Sequence, residues 1–236
     1  QQFLGGQMQD VFETHMVSTL YGSGPLPARR PGWAGNDENP DARSGRLGGV
    51  EHRTLAELND GLEQIRQAPA DGGRVCLIVR RPEIDGREVL EHATFDTELG
   101  LIGDNWSVKS SSATPNGGPD RRGQVTVTNW RGMIHVAGSE DRVPLAGDQL
   151  YVDLDISYQN LPAGTRLAVG TAVLEVTDKP HRGCAKFKSR FGTDALRFVN
   201  TGDGLLLRLR GINTTVVQSG TVRTGDAIEL RRPGPA

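Results

Sequence analysis

The residues best equipped for chemistry lie between Lys179 and Thr193, in KPHRGCAKFKSRFGT, where five Lys/Arg and one His surround Cys184 without a single acid. A run of charge is ordinarily a solvated face. Two features point elsewhere. The thiol stands in the middle of the run, and Phe187 and Phe191, four positions apart, give AKFKSRF an apolar side that would dock a short helix on a core. Pro180 and Gly183 predict a turn that leaves Cys184 at or near the N-terminus of that helix. Helix-end amides and the neighbouring Arg182, Lys186 and His181 would favour a thiolate there, and a thiolate is both a nucleophile and a metal ligand. The plainer alternatives are a packed structural thiol and, for His181, a turn residue bonded to backbone.

Other polar groupings are less specific. In LRLRGINT, Arg210 and Asn213 fall at a strand end, where a forked guanidinium suits a phosphate. In GLIGDNW, Asp104 and Trp106 fit a loop beside a pocket. NGGPDRRGQ joins two Gly to Arg121 and Arg122, as an anion-binding loop or a solvated hairpin tip. Gly103-Asp104, Gly147-Asp148 and Gly225-Asp226 recur as turn punctuation, Gly supplying a positive φ and Asp bonding the following backbone.

These groups must be positioned by short strands. With 31 Gly and 13 Pro in 236 residues and Val/Ile/Thr-rich runs between them, the chain favours a mainly β fold, and a closed β-barrel removes the edges that so many short strands would leave. Strands are predicted over RVCLIVRRP, with Cys76 in the core, and near 88–95, 123–130, 148–152, 171–177, 205–209 and 226–231. A helix is predicted over 54–68, with Thr54 and Glu57 as a capping box. Residues 1–50 read as a helix, with Met8, Val11, Phe12, Met16 and Leu20 on one face, followed by a Gly/Pro-rich arm; residues 51–236 form the barrel domain.

A net charge of −2 gives no global field for nucleic acid, so anion recognition must be local. The two cysteines have neither zinc-ligand spacing nor a disulfide framework, which fits a reducing cytoplasm. No stretch is apolar enough to span a membrane, and none resembles a secretory signal. The expectation is a cytoplasmic protein that binds neither nucleic acid nor membrane.

PHRGCAKFKSRFGTDALRFVN, followed by LRLRGINTTVVQSGTVRTGDAIEL, closely resembles the MOSC family, related to the C-terminal part of molybdenum cofactor sulfurases. The resemblance runs from about Val75 to the C-terminus. It implies a pyruvate-kinase-barrel-like β-barrel with Cys184 at the bottom of a basic pocket, binding sulfur as a persulfide or ligating molybdenum, and basic groups holding the phosphate of the molybdenum cofactor (molybdopterin). On this chain the cofactor-contacting residues it implies are His181, Arg182, Lys186, Arg190, Arg210 and Asn213, to which the sequence adds Asp104, Trp106 and Arg122. Asn116-Gly117-Gly118 stands where several bacterial members have His-Gly-Gly. With no desulfurase domain in this sequence, sulfur would come from a separate cysteine desulfurase. Three functions follow: a molybdenum-dependent oxidoreductase that reduces N-hydroxylated small molecules with an electron-donor protein; a persulfide carrier; or a metal-free cysteine enzyme with His181 as base, acting on an anionic substrate.

Overall fold

The computed structural model describes residues 52–232, so the helix and arm expected in residues 1–50 lie outside the described residues. Its centre is a closed barrel. Seven strands ring it in the order β1 (Gly73–Arg80), β11 (Ala227–Arg231), β7 (Arg166–Val169), β8 (Ala172–Val176), β9 (Ile212–Gln218), β5 (Val125–Asn129) and β6 (Leu150–Asp153), which returns to β1. All these pairings are antiparallel except β5 with β6. The strand β2 (Glu88–Leu90) extends the sheet from β1, and β10 (Gly220–Arg223), β3 (His92–Asp96) and β4 (Gly100–Leu101) form a second, three-stranded sheet.

Period-two patterning explains the closure. Ile228 and Leu230 of β11, Leu167 and Val169 of β7, and Leu174 and Val176 of β8 all enter one apolar core. Strands β1 and β6 are buried on both faces: Ile78, Leu150 and Val152 join the barrel core, while Val79 and Tyr151 join a second cluster under the helices. Hence VCLIV reads as a continuous apolar run.

The helices pack on that outer face. The capping box at Thr54 forms as predicted, but the 54–68 segment divides at Gly61 into α1 (Leu55–Asp60) and α2 (Leu62–Arg66). The His135 ring, bonded to the carbonyls of Glu57 and Leu58, comes so near that a Cβ on Gly61 would lie 2.3 Å from it. His135 belongs to α3 (Trp130–Ala137), where a strand was expected to continue to 130; Asn129 ends β5 and caps the helix by accepting from Gly132 N–H. Residues 88–95, expected as one strand, split between β2 and β3 in different sheets. The strand expected at 205–209 is instead α5 (Gly202–Leu206) and a turn, because Leu207 and Leu209 pack among the helices rather than in the barrel. Among the described residues no helix is long and apolar enough to cross a membrane.

Candidate functional site: a thiol beside a basic cleft

Helix α4 spans Ala185–Asn200 with a break at Gly192 (φ 92°), and Cys184 is its N-cap residue, exposed to solvent. The helix docks as its spacing predicts. Phe187 and Phe191 are both buried, with ring centroids 4.9 Å apart. The loop before the thiol is held by a residue the sequence analysis did not single out: Gly183 N–H donates to Asn200 Oδ1 (2.9 Å), and Asn200 Nδ2 donates to the Gly183 carbonyl (3.1 Å). The end of α4 thus folds back to fix the segment that presents Cys184.

Cys184 opens on a cleft of about 300 Å³ that it shares with Arg81, Arg87, Lys109, Lys186, Arg190 and Arg210. Four of these are gathered by one device. A 3-10 helix, Glu140–Ala146, ends beside the cleft, and the carbonyls of its last turn and of its C-cap Gly147 face arginines, Pro144 O also accepting from the Gly147 N–H. Pro144 O accepts from Arg87 Nε (3.1 Å), Leu145 O from Arg190 Nη1 (2.8 Å), Ala146 O from Arg210 Nη2 (3.1 Å) and Gly147 O from Arg81 Nη1 (2.9 Å). Four consecutive carbonyls therefore orient four guanidiniums from three separate parts of the sequence, Arg81 and Arg87 both lying in the β1–β2 connection. Gly147 is essential to this arrangement: its φ is 84°, and a Cβ would sit 2.9 Å from Arg87 Nη2. Gly147→Ala should lower stability by about 1–2 kcal/mol through the strained φ, with the larger effect on anion binding because Arg87 must move. Urea unfolding and pyrophosphate titration measure the two effects separately; equal binding by the variant would count against the carbonyl series as the organiser.

The cations differ in how they are balanced. Arg81 makes a bidentate pair with buried Asp104 (both contacts 2.9 Å). Arg210, itself buried, donates to Asp148 Oδ2 (2.6 Å) and lies over the Phe187 ring at 5.1 Å. Arg190 and Lys186 share Asp85. Arg87 and Lys109 have no ion pair among the described residues. Burial, then the neighbouring guanidiniums of Arg190 and Arg81, pushes Arg87 below its ordinary value, and burial followed by Arg81 does the same to Lys109. The cleft is thus short of negative charge in a partly desolvated setting, where an anion would relieve mutual repulsion.

Asp148 is the hub beneath it. Fully buried, it accepts from Arg210 through one oxygen and meets His181 Nε2 at 2.9 Å through the other. Burial alone would raise its pKa, but Arg210 and then His181 outweigh that and hold the carboxyl below the usual carboxylate range. Burial, and then Arg210, lowers the His181 pKa despite the Asp148 carboxylate. Facing an ionised carboxylate, His181 donates an Nε2 proton to Asp148.

The residues singled out from sequence fall into three places. Cys184, Lys186, Arg190 and Arg210 line the cleft. His181 and Asn213 line a separate cavity of about 270 Å³ together with Lys179 and Pro180, and Asn213 Nδ2 donates to the Lys179 carbonyl. The remainder meet neither cavity as lining groups. Asp104 is the N-cap that accepts from buried Trp106 N–H, Arg122 pairs with Asp120 beside Lys179, and Arg182 is exposed. Cys76, expected in the core, is half-buried, with its thiol raised to about 11 chiefly by burial. Sequence reasoning missed Arg81, Arg87, Lys109 and Asp148. The recurring Gly-Asp pairs were the available signal, since two of their three aspartates are the buried partners of cleft arginines.

A closed β-barrel carrying a thiol beside an arginine-lined cleft defines the class. Residues 121–229 match the family model described as the MOSC domain, the family that the sequence resembles. The matched stretch holds Asp148, His181, Cys184, Arg190 and Arg210, while Arg81, Arg87 and Lys109 come from the preceding part of the chain. Among solved structures, the YuaD protein from Bacillus subtilis is 18% identical, covering 67% of this chain and 95% of that one at a TM-score of 0.50. YiiM from Escherichia coli is 19% identical, covering 69% and 72% at a TM-score of 0.45. The likeness to YuaD concerns the fold alone. No curated protein matches the sequence.

Proposed function

We propose that this protein holds a molybdenum cofactor in the basic cleft with Cys184 as a metal ligand, and that it is an oxidoreductase reducing N-hydroxylated small molecules with electrons from a partner protein. The observation that carries the reading is the set of four arginines fixed on the consecutive carbonyls Pro144–Gly147 around a cleft that contains an exposed cysteine. The donor set fits the group. A soft thiolate suits the metal, and Arg87, Lys109, Lys186 and Arg190 suit a terminal phosphate. Among the described residues the buried Arg210 Nε has no hydrogen-bond partner, a further donor at this wall. When bound, the cofactor supplies two-electron redox chemistry at an N–O bond. The chain's own residues bind and orient: the guanidiniums grip the anionic end, Phe187 closes the apolar side, and Asp148 keeps Arg210 in place.

The test is metal content of wild type and Cys184→Ser produced in a host that makes the cofactor. Near-stoichiometric molybdenum in wild type and at least about a tenfold drop in the variant are expected; no metal in either protein would overturn the reading.

The exposure of Cys184 also favours a second reading, in which it accepts sulfur from a separate cysteine desulfurase as a persulfide and passes it on. A sulfur-mass adduct on Cys184 after incubation with a desulfurase and cysteine is then expected, and its absence would remove this reading. Metal-free cysteine catalysis with His181 as base has less support, since His181 is bonded to Asp148 and lines the other cavity.

A further inference from the structure

We infer that Asp85 is a specificity-determining residue of the basic cleft: its carboxylate occupies cations that an incoming anion needs, and so admits ligands charged strongly enough to displace it. The inference rests on the anion-binding part of the reading above and requires no metal.

Asp85 lies in the turn between β1 and β2, in the left-handed region at φ 62°, a conformation that non-glycine residues seldom adopt. From there it reaches across the sequence to α4, bonding Arg190 Nη2 at 2.5 Å and Lys186 Nζ at 3.3 Å. The two ends of this bridge differ in exposure. The Asp85 side chain is 58% exposed, whereas Arg190 is only 19% exposed and anchored below to the Leu145 carbonyl. The acid is the movable member and the arginine the fixed one. Ile84 beside it is 79% exposed, so the turn has little apolar anchorage at its tip.

Arg81 and Arg210 are neutralised from beneath by Asp104 and Asp148, both fully buried and out of reach of exchange. Asp85 is the neutralising acid at the solvent side. A ligand that replaces it gains Arg190 and Lys186 together with the unbalanced Arg87 and Lys109 of the same cleft. A monoanion offers about the charge that Asp85 already provides and gains little by exchange, whereas a di- or trianion can hold these cations and compensate Arg87 as well. Selectivity for multiply charged anions follows from the competition, in the way a repulsive or competing element sets specificity elsewhere.

The experiment uses the full chain and reads protection of Cys184 from iodoacetamide by inorganic pyrophosphate and, separately, by acetate. Asp85→Asn keeps a side chain that tolerates the left-handed region, and Asp85→Gly provides a second variant without steric strain at that φ. In both, the pyrophosphate concentration giving half-protection should fall about three- to fivefold, as expected for removing one partly exposed ion-paired competitor. Acetate, ineffective on wild type, should begin to protect. Glu83→Gln removes an equal charge from the same cleft wall at a residue with no ion pair among the described residues, and should shift half-protection by less than about twofold. Equal half-protection in wild type and both Asp85 variants would overturn the inference while leaving the anion cleft standing. An equal shift in Glu83→Gln would also overturn it, reducing the effect to long-range charge. No protection by pyrophosphate in any of the proteins would overturn the inference and the anion cleft together.

Discussion

Replacing Asp148 with Ala is expected to lower stability by about 3–5 kcal/mol, the range for removing one partner of a buried ion pair and leaving the other uncompensated. Two groups are orphaned at once. Arg210, whose Nε has no partner among the described residues, loses its carboxylate, and His181 loses the acceptor for its ring proton. In a domain of this size the thermal midpoint should fall by roughly 10 °C. The pH dependence isolates the charge. Because the folded pKa of Asp148 lies below its unfolded value of about 4, its contribution is fully present above that value and is lost as pH falls through the folded one. His181 is also held below its ordinary value, so it adds a loss that begins as pH falls through about 6.5. Urea unfolding of Asp148→Asn, which keeps the shape, should show the carboxylate part of this acid slope removed. A variant with wild-type stability and an unchanged slope would mean that Asp148 is not the hub of the network.

The barrel was legible because strand burial leaves a local trace. Period-two runs in β7, β8 and β11 and the Gly-Asp turns at 103, 147 and 225, all with positive φ at the Gly, are properties of a few adjacent residues. Elements decided by distant partners were not. The break at Gly61 depends on His135, the start of α3 depends on one Asn serving both strand and cap, and LLLRL was drawn into the helical layer although its composition suits a strand. Short apolar runs carry no periodicity that separates these outcomes.

The same division runs through the site. The position of Cys184 before a docked helix follows from PHRGCAKFKSRF because a turn, a cap and two aromatics at helical spacing are local. The anion-binding wall is non-local: Arg81, Arg87, Arg190 and Arg210 converge only because one 3-10 helix end presents four carbonyls in sequence. Nothing in EDRVPLAG announces that role, since carbonyls have no sequence signature. The separation of His181 from Cys184 is likewise a consequence of Asp148, a residue 33 positions upstream of His181 that composition marks only as a turn.

Phe187→Ala is expected to cost about 3–5 kcal/mol, as for other fully buried aromatic truncations that leave a cavity. Its consequence for the site should exceed that of an ordinary core change. The ring touches Phe191 on one side and faces the Arg210 guanidinium on the other, so it joins the helix that presents Cys184 to the wall that would hold the anion. Removing it withdraws packing from the short segment between Cys184 and the break at Gly192, and the thiol should react faster with iodoacetamide than in wild type under conditions where both proteins are folded. Phe187→Leu fills most of the space but lacks the π-face, and should cost less than about 1.5 kcal/mol. If the Leu variant keeps wild-type thiol protection by pyrophosphate, volume alone couples helix to cleft; if protection weakens while stability holds, the cation–π contact positions Arg210. A Phe187→Ala protein within about 1 kcal/mol of wild type would show that the segment bearing Cys184 is anchored elsewhere, with Asn200 and its hold on Gly183 as the remaining support.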